Sequence, residues 1–166
     1  MKKLVLIHLK VQTLKRISAS LEIDLISTLS NSLIISADNT HARHPNHDEL
    51  SDHTNTPLLN DGILIMKEMN GTTNSITSTI FKHICDVKNL PCSFYTSRND
   101  FSTGSTQAGA SLKHLSINSL DIGLPMLAMH SSMEMIGLKD TYNLYLGLKE
   151  FYAIHYEIKN NKISFK

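Results

Sequence analysis

Cysteine is scarce in this 166-residue sequence: there are two, Cys85 and Cys92. They fall in separate expected elements without CxxC spacing, so neither a disulfide framework nor a cysteine zinc site is indicated, and a reducing, cytoplasmic home fits them. An excess of one charge is also missing. Sixteen Lys and Arg face fifteen Asp and Glu, a formal net charge of +1, which gives no electrostatic case for a nucleic-acid groove or an anionic membrane surface. The expected partner is a small molecule, a peptide or another protein. Long apolar runs are absent too. The opening "MKKLVLIHLK" starts with charge, but its apolar run stops at Ile7, ahead of His8 and Lys10, far short of a signal-peptide core. No stretch approaches the ~20 apolar residues of a membrane span. There is no internal repeat and no low-complexity segment.

What is present is enough apolar content, 41%, for one compact domain with a core. Leu21, Leu25, Ile26 and Leu29 recur at helical spacing and predict an amphipathic helix over 21–29 with Ser20 as N-cap. Leu33 to Ala37 is a short apolar run that predicts a strand buried on both faces. A polar stretch from Asn39 to Asp61 follows, with Pro45 and Pro57 blocking regular structure. Gly62 to Met69 reads as a second strand. Ile76, Ile80, Phe81, Ile84 and Val87 mark a helix capped near Asn74 or Ser75, which Pro91 separates from a third strand, Cys92 to Ser97. A polar loop and a short helix to about His114 lead to a fourth strand, Leu115 to Ile122. "DTYNLYLGLKEFYA" predicts a closing helix capped at Asp140 or Thr141. The tail from Tyr156 is either an edge strand or a frayed end. Alternating helices and short apolar strands predict an α/β domain with a largely parallel or mixed central sheet.

In such sheets ligands gather beyond the carboxyl ends of strands. "LIISADNTHARHPNH", Leu33 to His47, runs a strand straight into Asp38, His41, His44 and His47. Pro45 rules out a helical ladder of ligands, so only some of the four can face one site. Read from the residues alone, the segment is either a metal-ligating loop led by Asp38 or an exposed histidine-rich loop. In "PMLAMHSSMEM", His130 among methionines reads as structural when taken alone. "SRNDFSTGST" carries Gly104 into a helix start near Ser105, where backbone N–H groups can hold a carboxylate or oxyanion, or which is an ordinary capped helix.

Together, "SADNTHARHPNH", "SRNDFSTGST" and "DIGLPMLAMHSSMEM" resemble, in succession, the carboxyl-terminal signatures of the aspartyl aminopeptidase and aminopeptidase I family of zinc metallopeptidases. The family reads close to S-A-D-x-A-H-A-x-H-P-N, R-N-D-x-x-x-G-S-T and D-x-G-x-P-x-L-x-M-H-S-x-x-E, and the likeness runs from about Leu21 to Ala153. It implies a three-layer zinc-exopeptidase-like fold, two zinc ions per site, peptide substrates and a homo-oligomer. By this resemblance Asp38 matches the aspartate that ligates one zinc and His130 the histidine that ligates the other. His41 and His44 match histidines beside the site, and they, with Asn99, Asp100, Gly104, Ser105 and Thr106 of the second signature, are expected to bind substrate or to support the metal ligands. His47 departs from the family pattern and reads as a bystander. A family lysine that recognises acidic substrates aligns with Met66, while Lys67 lies one residue later, on the opposite face of a strand.

The family's H-x-D pair, bridging aspartate and Glu-Glu lie upstream of the part matched, and the sequence holds no Glu-Glu. The general base is thus expected to be missing from this chain. Residues 1–155 are expected to be the carboxyl-terminal part of such a catalytic domain, from a truncated or split gene or a start assigned downstream of the true one, with 156–166 as a tail. The alternative is a non-catalytic α/β binding module or partner subunit derived from that family.

Overall fold

The computed structural model describes residues 2–52, 54–67, 72–97, 100, 117–159 and 162–165. In chain order these form α1 (Lys2–Ser20), α2 (Leu25–Ser30), β1 (Leu33–Ala37), β2 (Thr40–His41), a 3-10 turn (Asp48–Leu50), β3 (Ile63–Met66) and α3 (Ser75–Val87). They continue as β4 (Cys92–Tyr95), β5 (Asn118–Gly123), β6 (Pro125–Leu127), β7 (Met135–Ile136), α4 (Leu138–Ala153), β8 (Tyr156–Lys159) and β9 (Lys162–Phe165). The expected short helix before His114 lies outside the described residues.

The central sheet runs β1-β5-β3-β4 and is mixed. Two parallel pairs, β1 with β5 and β3 with β4, meet at an antiparallel seam where Leu64 faces Gly123 and Ile65 faces Ile122. The pleat sends alternate side chains to opposite faces. Ile63, Ile65, Leu120 and Ile122 point toward a core built with Ile80, Phe81, Ile84 and Cys85 of α3, and Leu144, Leu148 and Phe151 of α4 pack against it. Leu64, Met66, Ser119 and Asp121, on the other face, are buried as well. Gly147 lets α4 come close, since a Cβ there would sit 3.2 Å from both Ile63 Cδ1 and Phe81 Cζ.

Several expectations are corrected. The helix expected over 21–29 is a turn followed by a shorter helix: α1 ends at Ser20, Glu22 turns the chain at φ 53°, and α2 begins at Leu25, where Asp24 caps it by accepting from the Ile26 and Ser27 N–H groups. Leu21 and Ile26 are exposed, so their helical spacing does not mark one buried face. β1 holds its expected bounds but is half-buried, because it is the outer strand of its sheet. β3 ends at Met66, β4 at Tyr95, and β5 begins at Asn118. The polar stretch 39–61 is not wholly irregular, since it holds β2 and the 3-10 turn. α3 has its expected start, with a reciprocal capping box between Asn74 and Thr77. α4 begins two residues before Asp140, capped by Gly137.

Asp140 is instead a buried clamp. Its carboxylate accepts from the backbone N–H of Asn60 at 2.6 Å and of Gly62 at 2.7 Å, tying the first turn of α4 to the approach to β3. The tail is a hairpin, β8 with β9, whose Tyr156, Ile163 and Phe165 pack against the core. No helix among the described residues is long and apolar enough to cross a membrane.

Candidate functional site

Asp38 leaves β1 at the edge where β5 also ends. Its backbone N–H donates to the Ile122 carbonyl at 2.9 Å, and the ladder continues beyond the sheet: Thr40 N–H to Leu124 at 3.0 Å, Ala42 N–H to Met126 at 2.8 Å. β2 thereby pairs in parallel with β6. Gly123 makes the crossing possible, because a Cβ there would lie 1.8 Å from the Asp38 carbonyl oxygen. The Asp38 side chain is exposed and accepts from the Asn39 N–H at 2.9 Å.

His130 sits in the turn between β6 and β7, exposed, at φ 65°, with Ala128 two residues earlier at φ 56°. Two non-glycine residues in the left-handed region cost of order 1–2 kcal/mol each, so local bonds must hold them. Glu134 supplies one, accepting the His130 backbone N–H at 2.7 Å. Ser131 supplies others, its N–H donating to the Ala128 carbonyl at 3.0 Å and its hydroxyl to the Met133 carbonyl at 2.7 Å. Glu134 is a positioning residue that was not singled out from the sequence, although it is the last letter of the third signature.

The histidines after Asp38 divide. His41 is exposed in β2 opposite Met126. His44 and His47 turn toward each other, ring centroids 5.1 Å apart, and His47 Nδ1 lies 3.2 Å from Glu49. Backbone N–H donation to Glu49, and then His47, holds that carboxyl below the usual range. Arg43 grips Asp48 through both Nε and Nη2, closing the 43–48 loop, while its N–H reaches the Pro57 carbonyl at 2.8 Å. Asp100 is exposed in a turn. Asn99, Gly104, Ser105 and Thr106 lie outside the described residues.

Met66 is buried, whereas Lys67 is exposed with its ammonium 3.8 Å from the Phe94 ring centroid. β3 runs against β1, so Lys67 lies roughly 10 Å along the strand direction from the level of Asp38.

A protein zinc takes three or four ligands. Among the described residues no three His, Cys, Asp or Glu side chains gather to hold a metal. Asp38 and His130, one exposed carboxylate and one exposed imidazole, therefore do not by themselves fit a zinc ion.

Comparison with known proteins places this geometry. The family model for the aminopeptidase I zinc metalloprotease (M18) matches residues 7–152. A probable M18 family aminopeptidase 2 from Pseudomonas savastanoi pv. phaseolicola is 40% identical over 146 residues, covering 87% of this chain and 34% of that protein. Among solved structures, prApe1 superposes with a TM-score of 0.79 at 22% identity, over 87% of this chain and 31% of that one. The S. cerevisiae mApe1 dodecamer superposes at 0.64 and 23% identity, over 78% of this chain and 29% of that one. The chain spans about a third of the length of the curated relatives it matches.

Proposed function

The chain belongs to the aminopeptidase I zinc metalloprotease family (M18), and from that premise we propose that it supplies the carboxyl-terminal part of a zinc aminopeptidase site, one that removes amino-terminal residues from peptides. Residues 1–155 make up that part and 156–166 are an appended tail. Asp38 and His130 each contribute one donor to a different one of two zinc ions, and the remaining donors and the general base come from residues other than those described. His41 and His44 frame the site, and they, with Asn99, Asp100, Gly104, Ser105 and Thr106, contact substrate or support the metal ligands. The observation that carries this reading is the parallel delivery of both segments: β1 into Asp38 and β5 through β6 into the His130 turn, joined by a continuous ladder. Neighbouring parallel strands are how an α/β sheet converges groups from distant sequence on one site.

The same reading makes the working protein a homo-oligomer, as in the solved mApe1 dodecamer, with the reducing cytoplasm as the compartment that suits its free cysteines. Lys67, held over Phe94, is poorly placed to read an acidic amino terminus.

The test is reconstitution. The chain with zinc should cleave none of the aspartyl, glutamyl or leucyl chromogenic amides. Adding the part of the Pseudomonas relative that lies outside the match, as a separate polypeptide, should restore cleavage, and Asp38→Ala or His130→Ala should abolish it. A mixture that stays inactive with every member folded would sink the proposal. The absence of a three-donor group among the described residues favours one second reading, a non-catalytic partner subunit. Restored cleavage indifferent to both substitutions would establish it.

A further inference from the structure

Cys85 and Cys92, seven residues apart in sequence and assigned there to separate elements, are brought together by the fold. Cys85 lies in the last two turns of α3 and is fully buried. The helix ends abruptly: Lys88 N–H donates to the Ile84 carbonyl at 3.1 Å, Asn89 takes a left-handed φ of 53°, and Leu90 N–H returns to the Cys85 carbonyl at 2.8 Å. That last bond folds the chain back over Cys85. Pro91 then hands its carbonyl to Ile63 N–H at 2.9 Å, which fixes Cys92 at the start of β4, half-buried and packed against the cluster that holds Cys85. Cys85 thus sits inside that cluster with Cys92 packed against it, and both cysteines are free. Lys82, one turn before Cys85 on α3, adds positive charge beside them.

We propose that Cys85 and Cys92 form a redox modification site, at which a hydroperoxide converts the thiol pair to an intrachain disulfide. The chemistry divides by exposure. Cys92 is the one with access to solvent, and interaction with the Cys85 thiol, followed by Lys82, holds its own thiol below the ordinary range, while that interaction and burial push Cys85 up. The thiolate is the reacting form, so Cys92 reacts first. Its sulfur displaces hydroxide from the peroxide O–O bond, giving a sulfenic acid. The Cys85 sulfur then attacks that sulfenic sulfur, forming the S–S bond; the Cys85 proton and the departing hydroxyl leave as water. Two thiols are oxidised by two electrons and one hydroperoxide is reduced. The disulfide would staple the end of α3 to the first residue of β4 within an eight-residue loop.

Limited treatment of the folded full chain with hydrogen peroxide, followed by intact mass and by thiol counting in denaturant, tests this. The expected result is a loss of 2 Da and a fall from two reactive thiols to none, reversed by dithiothreitol, on a species that remains a single chain on a non-reducing gel. Cys85→Ser should instead leave Cys92 as a sulfenic acid trapped by dimedone as a mass increase, and Cys92→Ser should retain its one thiol. Two thiols surviving in the native chain under conditions that oxidise Cys85→Ser would overturn the proposal, as would gain of 32 Da or an interchain dimer. The native-chain measurement stands without either variant, so a variant that fails to fold does not shield the idea.

Discussion

Replacing Asp140 with alanine removes one carboxylate and strands two backbone donors. The Gly62 N–H is buried and loses a charge-assisted bond of 2.7 Å, which costs about 2–3 kcal/mol because nothing else reaches it. The Asn60 N–H, bonded at 2.6 Å, belongs to an exposed residue that water can reach, so its share is about 1 kcal/mol. The negative charge in the first turn of α4 adds about 0.5 kcal/mol against the helix dipole. The sum is about 3.5–4.5 kcal/mol, a large fraction of a domain's stability. At a urea dependence of about 2 kcal/mol per molar, the unfolding midpoint followed by circular dichroism should fall by about 2 M. Asp140→Asn keeps one acceptor but turns an amide donor toward a donor, so it should lose about 2 kcal/mol. Asn60→Gly removes only the exposed Oδ1 that accepts the Lys139 N–H and relieves a φ of 66°, so it should change stability by less than about 1 kcal/mol. A midpoint for Asp140→Ala within about 0.5 M of the parent would refute the clamp.

Gly123→Ala sets a Cβ against the Asp38 carbonyl with only backbone to yield; a loss of about 2–4 kcal/mol is expected, together with loss of reconstituted cleavage at temperatures where the variant is still folded. Gly147→Val crowds Ile63 and Phe81 and should cost about 1–3 kcal/mol by the same denaturation assay. Lys82→Ala breaks an i,i+4 pair whose partners are partly exposed and should move the midpoint by less than about 0.5 kcal/mol equivalent. Ile26, Met133, Leu138, Tyr142 and Tyr145 present apolar surface to solvent, so light scattering after size exclusion should find self-association, and a clean monomer would refute it.

Elements whose signal is local were legible in the sequence. β1 and α3 have their expected starts because a short apolar run and an Asn-led capping box are specified within a few residues. The failures share a cause. The apolar positions from Leu21 to Leu29 fit helical spacing, but the backbone reverses at Glu22, and spacing says nothing of φ. Asp140 looked like an N-cap because capping and long-range clamping draw on the same residue type; only the third dimension shows it reaching back 78 residues to Gly62. The sheet is mixed, within the expectation, but the place of its antiparallel seam, between β3 and β5, is not in a pattern of alternating helices and strands, since strand polarity lies in the connections.

The site was legible in a different sense. Asp38 and His130 stand out through a resemblance of motifs; the physics of single residues leaves Asp38 between a ligand and an exposed loop and reads His130 as structural. Structure adds what motif letters leave unstated: Gly123 is bare so that the Asp38 backbone can cross it, and Glu134 closes the third motif's turn by holding the His130 N–H. Both residues act on the backbone, not on a ligand, which is why a search for donors passes over them. If the proposed site works, substituting them should resemble loss of geometry more than loss of a ligand. Glu134→Gln, which keeps an acceptor for the His130 N–H, should retain most of the reconstituted cleavage, while Glu134→Ala should lower it, at a fixed zinc concentration, by about tenfold or more as the turn relaxes from its two left-handed residues. Equal loss in both variants would mean that the charge of Glu134, and not its grip on the turn, is what the site requires.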